Sequence, residues 1–181
     1  DMTGPRSARA VLADPAVEVA VLETARGGIM RGGLGYDWAD IAVITNIQAD
    51  HIGQDGIEDV DDLIHVKSLV AERVRRDGTL VLNAEDENAA GVAGLWGVRR
   101  RKKRIVYFAL DPSHPTIAEH RAAGGPAYFL RDGWIVEAMG LLETPIMEAQ
   151  AIPVAMGGRA RHQVANALAA VAALRAYGVE R

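Results

Sequence analysis

Four short apolar runs punctuate the first 110 residues, and polar, helix-like or glycine-rich segments separate them. The runs are 17–23 (VEVAVLE), 41–47, 79–83 (TLVLN) and 105–109, each of a length suited to a buried strand. Between them lie helical patterns at 6–13, at 59–76 and near 86–95, and Asp14-Pro15 closes the first as a turn. Strands that alternate with helices specify an α/β fold with a mainly parallel sheet and crossover helices. The stretch 24–36 holds five glycines and reads as a loop with close backbone approaches.

The pattern changes further along. Runs at 127–131 and 134–137 flank Asp132-Gly133, a strong two-residue hairpin signal, and 150–155 is expected to add a third antiparallel strand. The expected organisation is thus one domain, 1–181, with an antiparallel β insertion at 127–156. An alanine-rich helix over 162–177, stopped at Gly178, closes the chain.

Composition narrows the class. With 49% apolar and 24% charged residues and a net charge of −4, the chain has no overall bias toward nucleic acid or anionic membranes. It has no run long enough to span a bilayer and no signal-peptide pattern. The absence of cysteine excludes disulfides and thiolate chemistry, and a cytoplasmic location is the expectation. Residues 99–104 (RRRKKR) form the only charge block. Lacking interleaved aromatics, it reads as a solvated connecting turn rather than a nucleic-acid site. The opening Asp1-Met2-Thr3-Gly4-Pro5 reads as the inside of a loop, so a fragment of a longer protein is expected.

One lysine fits poorly into this scheme. On a helix over 59–76, residues 60, 63, 64, 67, 70, 71 and 74 share one side, and Lys67 falls within that apolar set. Asp59 suits the N-cap, Arg73, Arg75 and Arg76 suit the last turn, and Gly78 suits the stop. Lys67 either snorkels to water or faces inward, where desolvation would lower its pKa. As a free amine it could form a carbamate with carbon dioxide and become an oxygen ligand for a metal.

Ligands of open parallel sheets sit beyond the carboxyl ends of the strands. Three expected ends carry polar residues in succession: Glu23, then 46–51, then 83–86. Glu23 is either an exposed strand-end acid or a Mg²⁺ ligand. His51 could bind a metal or phosphate, and Asp50 could orient its loop. His162 and Asn166 share one face at the start of the last helix, where they either solvate the helix or meet a nucleotide.

These motifs, in this order and spacing, resemble the central ATPase domain of the Mur ligases and folylpolyglutamate synthase. The residues that carry the resemblance are Thr45-Asn46-Ile47…Asp50-His51, Lys67, 81–86 (VLNAED) and His162…Asn166 with 167–170 (ALAA). Segments 22–29 (LETARGGI), 46–53 (NIQADHIG) and 157–162 (GGRARH) are similar to the Mur-like part of the cyanophycin synthetase branch. The resemblance covers nearly the whole chain. It implies a fold related to the P-loop NTPases, with ATP and Mg²⁺ as cofactors. Glu23 and His51 would be magnesium ligands and Lys67 the carbamylated lysine. Asn83 and Asp86 would lie by the nucleotide, and His162 and Asn166 near adenine and ribose. The implied reaction forms an amide through an acyl phosphate, joining arginine to the side-chain carboxylate of a poly-aspartate polymer acceptor, with Lys67 and His51 at the reacting groups.

The chain departs from the family pattern in three ways. It holds no Gly-Lys-Thr phosphate loop and no C-terminal Rossmann-like domain, and Gln163 stands where Asn commonly follows the histidine. The expected partners therefore include the rest of one polypeptide: an ATP-grasp domain, the P-loop segment and the C-terminal domain. A homo-oligomer is compatible with the sequence. Alone, the 181-residue chain is expected to be inactive. The alternatives are a non-catalytic interaction module of a degenerate paralogue and a metal-dependent phosphohydrolase built on Glu23, Asp50 and His51, which leaves Lys67 unexplained.

Overall fold

A computed structural model describes residues 4–49, 52–53 and 56–180. Six strands form one sheet in sequence order: β1 (Ala39–Ile44), β2 (Val74–Asn83), β3 (Arg104–Ala109), β4 (Pro126–Arg131), β5 (Trp134–Met139) and β6 (Leu142–Glu148). β1 to β4 are parallel neighbours, and β5 and β6 join antiparallel. The expected mixed α/β sheet is therefore present, with its antiparallel part continuous with the parallel part. Asp132 (φ 50) and Gly133 (φ 81) make the β4–β5 turn, as the Asp-Gly signal requires.

Helices cover both faces. On one side, α3 (Val60–Glu72) places Leu63, Val66 and Ala71 against Ala42, Ile44, Leu80 and Leu82. The short helices α4 (Glu87–Gly91) and α5 (Trp96–Arg99) extend that layer with Ala89 and Val98. On the other side, α7 (Arg161–Tyr177) buries Val164, Leu168, Ala169 and Ala172 on Val81, Val106, Phe108 and Tyr128. Strand alternation sends Leu80 and Leu82 to one layer and Val81 to the other. Gly178 (φ 101) ends α7 in the left-handed region. Glu137, 3% exposed, ties α7 to the antiparallel strands. It accepts from the Tyr128 hydroxyl at 2.6 Å and from Arg175 Nε at 2.9 Å.

Several sequence expectations are corrected. Residues 17–23 form no strand, and Val17, Val19 and Val21 are 37%, 53% and 95% exposed. Apolar composition supplies no ladder hydrogen bonds, and no described strand pairs with this run. Part of the glycine-rich stretch is helical, as α2 (Arg26–Gly32), and α1 (Pro5–Leu12) precedes it as expected. α3 stops at Glu72 because Arg75 and Arg76 belong to β2. Gly78 lies inside that strand and does not cap the helix. Asp77 (φ 63) and Gly78 form a bulge, where a Cβ on Gly78 would stand 2.7 Å from the Asp40 carbonyl oxygen. Residues 150–155 form 3₁₀ turns, since Pro153 has no ladder donor, and the third antiparallel strand is β6. An unexpected helix, α6 (Pro115–Ala122), packs Ile117 beneath β3 and β4. No described helix is long and apolar enough to cross a membrane.

With no basic residue in its last turn, α3 receives a cation from elsewhere. Lys103 is 9% exposed, and its ammonium donates to the Ala71 carbonyl at the helix end. Burial foremost, then the positive charges of Arg101 and Arg100, lower its pKa to about 8, and Glu72 opposes them. The folded chain sheds this proton well below the unfolded value of 10.5. The cost of the buried charge is thus fully present below pH 8 and is relieved as pH rises toward 10.5. Between about pH 7.5 and about pH 9.5, urea unfolding should show stability rising in the native chain relative to Lys103→Met. An identical pH trend in the two proteins would refute this.

Candidate functional site

The loop after β1 is held almost entirely by side chains from its neighbours. Asn83, at the end of β2, donates from Nδ2 to the Thr45 carbonyl at 2.9 Å, and its Oδ1 accepts from Glu85 N–H at 2.9 Å. The two oxygens of Asp86 divide their work. Oδ2 accepts from Ile47 N–H at 3.0 Å, and Oδ1 caps α4 through Ala89 N–H at 2.8 Å. Asn88 Nδ2 donates to the Ile47 carbonyl at 2.9 Å, and Lys67 Nζ reaches the Asn46 carbonyl at 3.3 Å. Ile47 itself is fully buried, so its N–H and C=O would be orphaned without Asp86 and Asn88. Glu85 repeats the device one strand over, its carboxylate accepting from Leu110 and Asp111 N–H at 3.0 Å each.

A cleft of about 220 Å³ opens beside this lattice at the carboxyl ends of the strands. Thr45, Asn46, Asn83, Asp86 and Phe108 line it from the sheet side, and His162, Ala165 and Asn166 from α7. No side chain caps α7 and its first turn carries no acidic residue, so the positive end of the helix dipole faces the cleft uncompensated, although the Arg161, Gln163 and Val164 N–H groups already donate to the Arg159 and Ala160 carbonyls. Gln163, whose role the sequence left open, accepts at Oε1 from Asn166 Nδ2 at 3.4 Å. The volume falls below the ~300–1,000 Å³ of typical ligand pockets. It suits a base or sugar better than an entire nucleotide.

Of the residues singled out in the sequence, Asn83, Asp86, His162 and Asn166 converge here. Lys67 stands one bond behind, on Asn46; it is half-buried, so neither the snorkelling nor the fully inward extreme describes it. The well-buried lysine with a lowered pKa is Lys103, at the other end of the sheet. Glu23 is exposed in a non-strand segment and does not line the cleft. Asp50 and His51 lie outside the described residues. Among the described residues no three His, Cys, Asp or Glu side chains stand close enough to hold a metal ion. Magnesium, which takes one or two protein carboxylates and completes its shell with phosphate and water, does not require such a cluster. Gln48, Glu85 and Phe108 also line the cleft. Glu85 was legible only as part of the polar 83–86 turn, and Phe108 only as a strand residue.

Residues 2–174 match the Mur ligase middle domain, and the chain belongs to that family. It is 45% identical over 170 residues to cyanophycin synthetase of Trichormus variabilis, covering 94% of this chain and 18% of that protein. With cyanophycin synthetase of Synechocystis sp. it shares 42% identity over 180 residues, or 99% of this chain and 20% of that one. UDP-N-acetylmuramoylalanine--D-glutamate ligase of Chlorobium phaeobacteroides is 32% identical over 142 residues, covering 78% of this chain and 28% of that enzyme. The chain thus spans about a fifth of the length of the cyanophycin synthetases it matches.

Asp86→Ala removes a helix cap and leaves the buried Ile47 N–H unpaired, a loss of about 2 kcal/mol. Chemical unfolding should show that loss, with faster hydrogen exchange at the Ile47 amide. Asp86→Asn, which keeps an acceptor for the cap, should lose less. Unchanged exchange at Ile47 in the alanine variant would mean the latch is not formed.

Proposed function

We propose that this chain is the nucleotide-side portion of an ATP-dependent ligase that forms C–N bonds and releases ADP. The observation that carries the reading is the cleft where Asn46, Asn83, His162 and Asn166 meet. It lies at the sheet edge where open α/β folds take their ligands, and membership of the Mur ligase middle-domain family supports the same use. In this reading His162 and Asn166 contact adenine and ribose, while Asn83 and Asp86 hold the cleft wall and so act as positioning residues. Similarity to cyanophycin synthetases favours arginine as the incoming amino acid and the side-chain carboxylate of poly-aspartate as acceptor. Magnesium would shield charge between the phosphate and the acceptor. Glu23, His51 and a carbamylated Lys67 are proposed for it on the resemblance of their motifs alone. The whole reaction is proposed for a longer polypeptide that supplies a phosphate loop, an ATP-grasp domain and a C-terminal domain. The isolated chain is proposed to bind nucleotide without turnover.

One observation favours a second reading, a non-catalytic module. Asn83 and Asp86 are already engaged in bonds that serve the scaffold. Calorimetric titration of the chain with ATP separates the two. The ligase reading expects binding that weakens about tenfold, or about 1.4 kcal/mol, in His162→Ala and in Asn166→Ala, with unfolding midpoints unchanged. Affinity indifferent to both substitutions would support the module and contradict the assignment of the cleft.

A further inference from the structure

The amino ends of β1, β2 and β3 form the sheet edge opposite the cleft and collect Arg73, Arg75, Arg76 and the 99–104 tract, a large share of the chain's 20 Lys and Arg residues. Ala39 pairs with Val74 and Thr79 with Arg104, so Trp38, Arg73 and the 99–104 tract are brought together there. The fold supplies the aromatics that the linear tract lacks. The Arg101 guanidinium lies 4.4 Å and that of Arg73 5.8 Å from the Trp38 ring centre, and Arg100 lies 4.5 Å from that of Trp96. Trp96 is 75% exposed and Trp38 41%, a large apolar exposure for a mere solvated turn.

Two carboxylates at this edge are paired with arginines outside the tract, while Asp37 beside Trp38 forms no ion pair among the described residues. Asp40 pairs with Arg75 at 2.9 Å, and Asp77 lies 3.8 Å from Arg76. Glu72 acts on Lys103. Among the described residues, Arg73, Arg99, Arg100, Arg101 and Lys102 form no ion pair. This surplus stands on a chain whose net charge is −4, so it is a local feature.

A guanidinium stacked on an indole keeps its planar fork of donors ordered before any ligand arrives. Such forks match carboxylates in bidentate fashion. Nucleic-acid platforms offer bare ring faces to bases, whereas here the chain's own arginines occupy faces of both tryptophans. In an extended acidic peptide, carboxylates on one side recur about every 7 Å, a spacing a row of arginines can follow.

We propose that this edge, with Arg100 on Trp96 and Arg101 and Arg73 on Trp38, is a docking surface for an extended carboxylate-rich polypeptide. The identity of the partner as a poly-aspartate acceptor rests on the ligase reading above. A six-residue strand spans about 20 Å, so a chain held here is anchored away from the cleft, and its reacting carboxylate lies further along it.

The test titrates poly-L-aspartate into the 181-residue chain, read by tryptophan fluorescence, beside a separate ATP titration. Saturable binding that weakens with added salt is expected. Arg100→Ser/Arg101→Ser should weaken it at least about tenfold and leave ATP binding and the unfolding midpoint unchanged. Trp96→Ala, which removes the stacking partner and no charge, should weaken it less. No saturable binding overturns the docking surface, and so does a single-stranded DNA of equal charge that binds as tightly. Poly-aspartate binding retained where ATP fails to bind supports the surface and counts against the ligase reading.

Discussion

The pairing of the Ile47 backbone with Asp86 and Asn88 is the contact on which the candidate site depends. Ile47 is fully buried beneath a loop that has no ladder of its own, so its polar groups need partners from another part of the chain. Asp86 answers that need and also caps α4, which makes one carboxylate the joint between the β1 loop, the end of β2 and the helix layer. Asn83 and Lys67 complete the fastening at Thr45 and Asn46. Side chains held in this way present a fixed wall to the uncapped start of α7.

The two ends of the sheet consequently differ in chemistry. At the carboxyl ends, amides and carboxylates are consumed in holding loops, which leaves a small polar cleft of moderate charge. At the amino ends, the entry of β3 carries a block of cations whose innermost member, Lys103, serves the end of α3. The cations left outside rest on tryptophans. A protein of net negative charge thereby shows one strongly positive edge.

Much of this was legible in the sequence, for identifiable reasons. β2 and β3 were readable because their apolar runs are buried on both faces, and the β4–β5 hairpin because Asp132-Gly133 permits two successive positive φ angles. The convergence of Asn83, Asp86, His162 and Asn166 followed from strand ends sharing one edge. The run 17–23 was misleading because apolar content cannot reveal whether a neighbouring strand exists. α6 was overlooked because its eight residues bury little beyond Ile117. Lys67 drew attention as the lysine in an apolar stripe, yet Lys103 is the one buried by the fold. Its burial comes from tertiary packing under Ala71, which no local period encodes. Trp38 is far from both Arg73 and Arg101 in sequence, so that stacking was invisible in a linear reading of the tract. Trp96 and Arg100, by contrast, stand four residues apart, and their pairing depends on the short helix α5.

Nuclear Overhauser contacts between ATP protons and the chain would test the central claim most directly. Adenine or ribose protons close to the Ala165 methyl and the His162 ring, with Ile47 still protected from exchange, is the expected result. Contacts at saturation that fall elsewhere on the surface, with none to the start of α7, would contradict it.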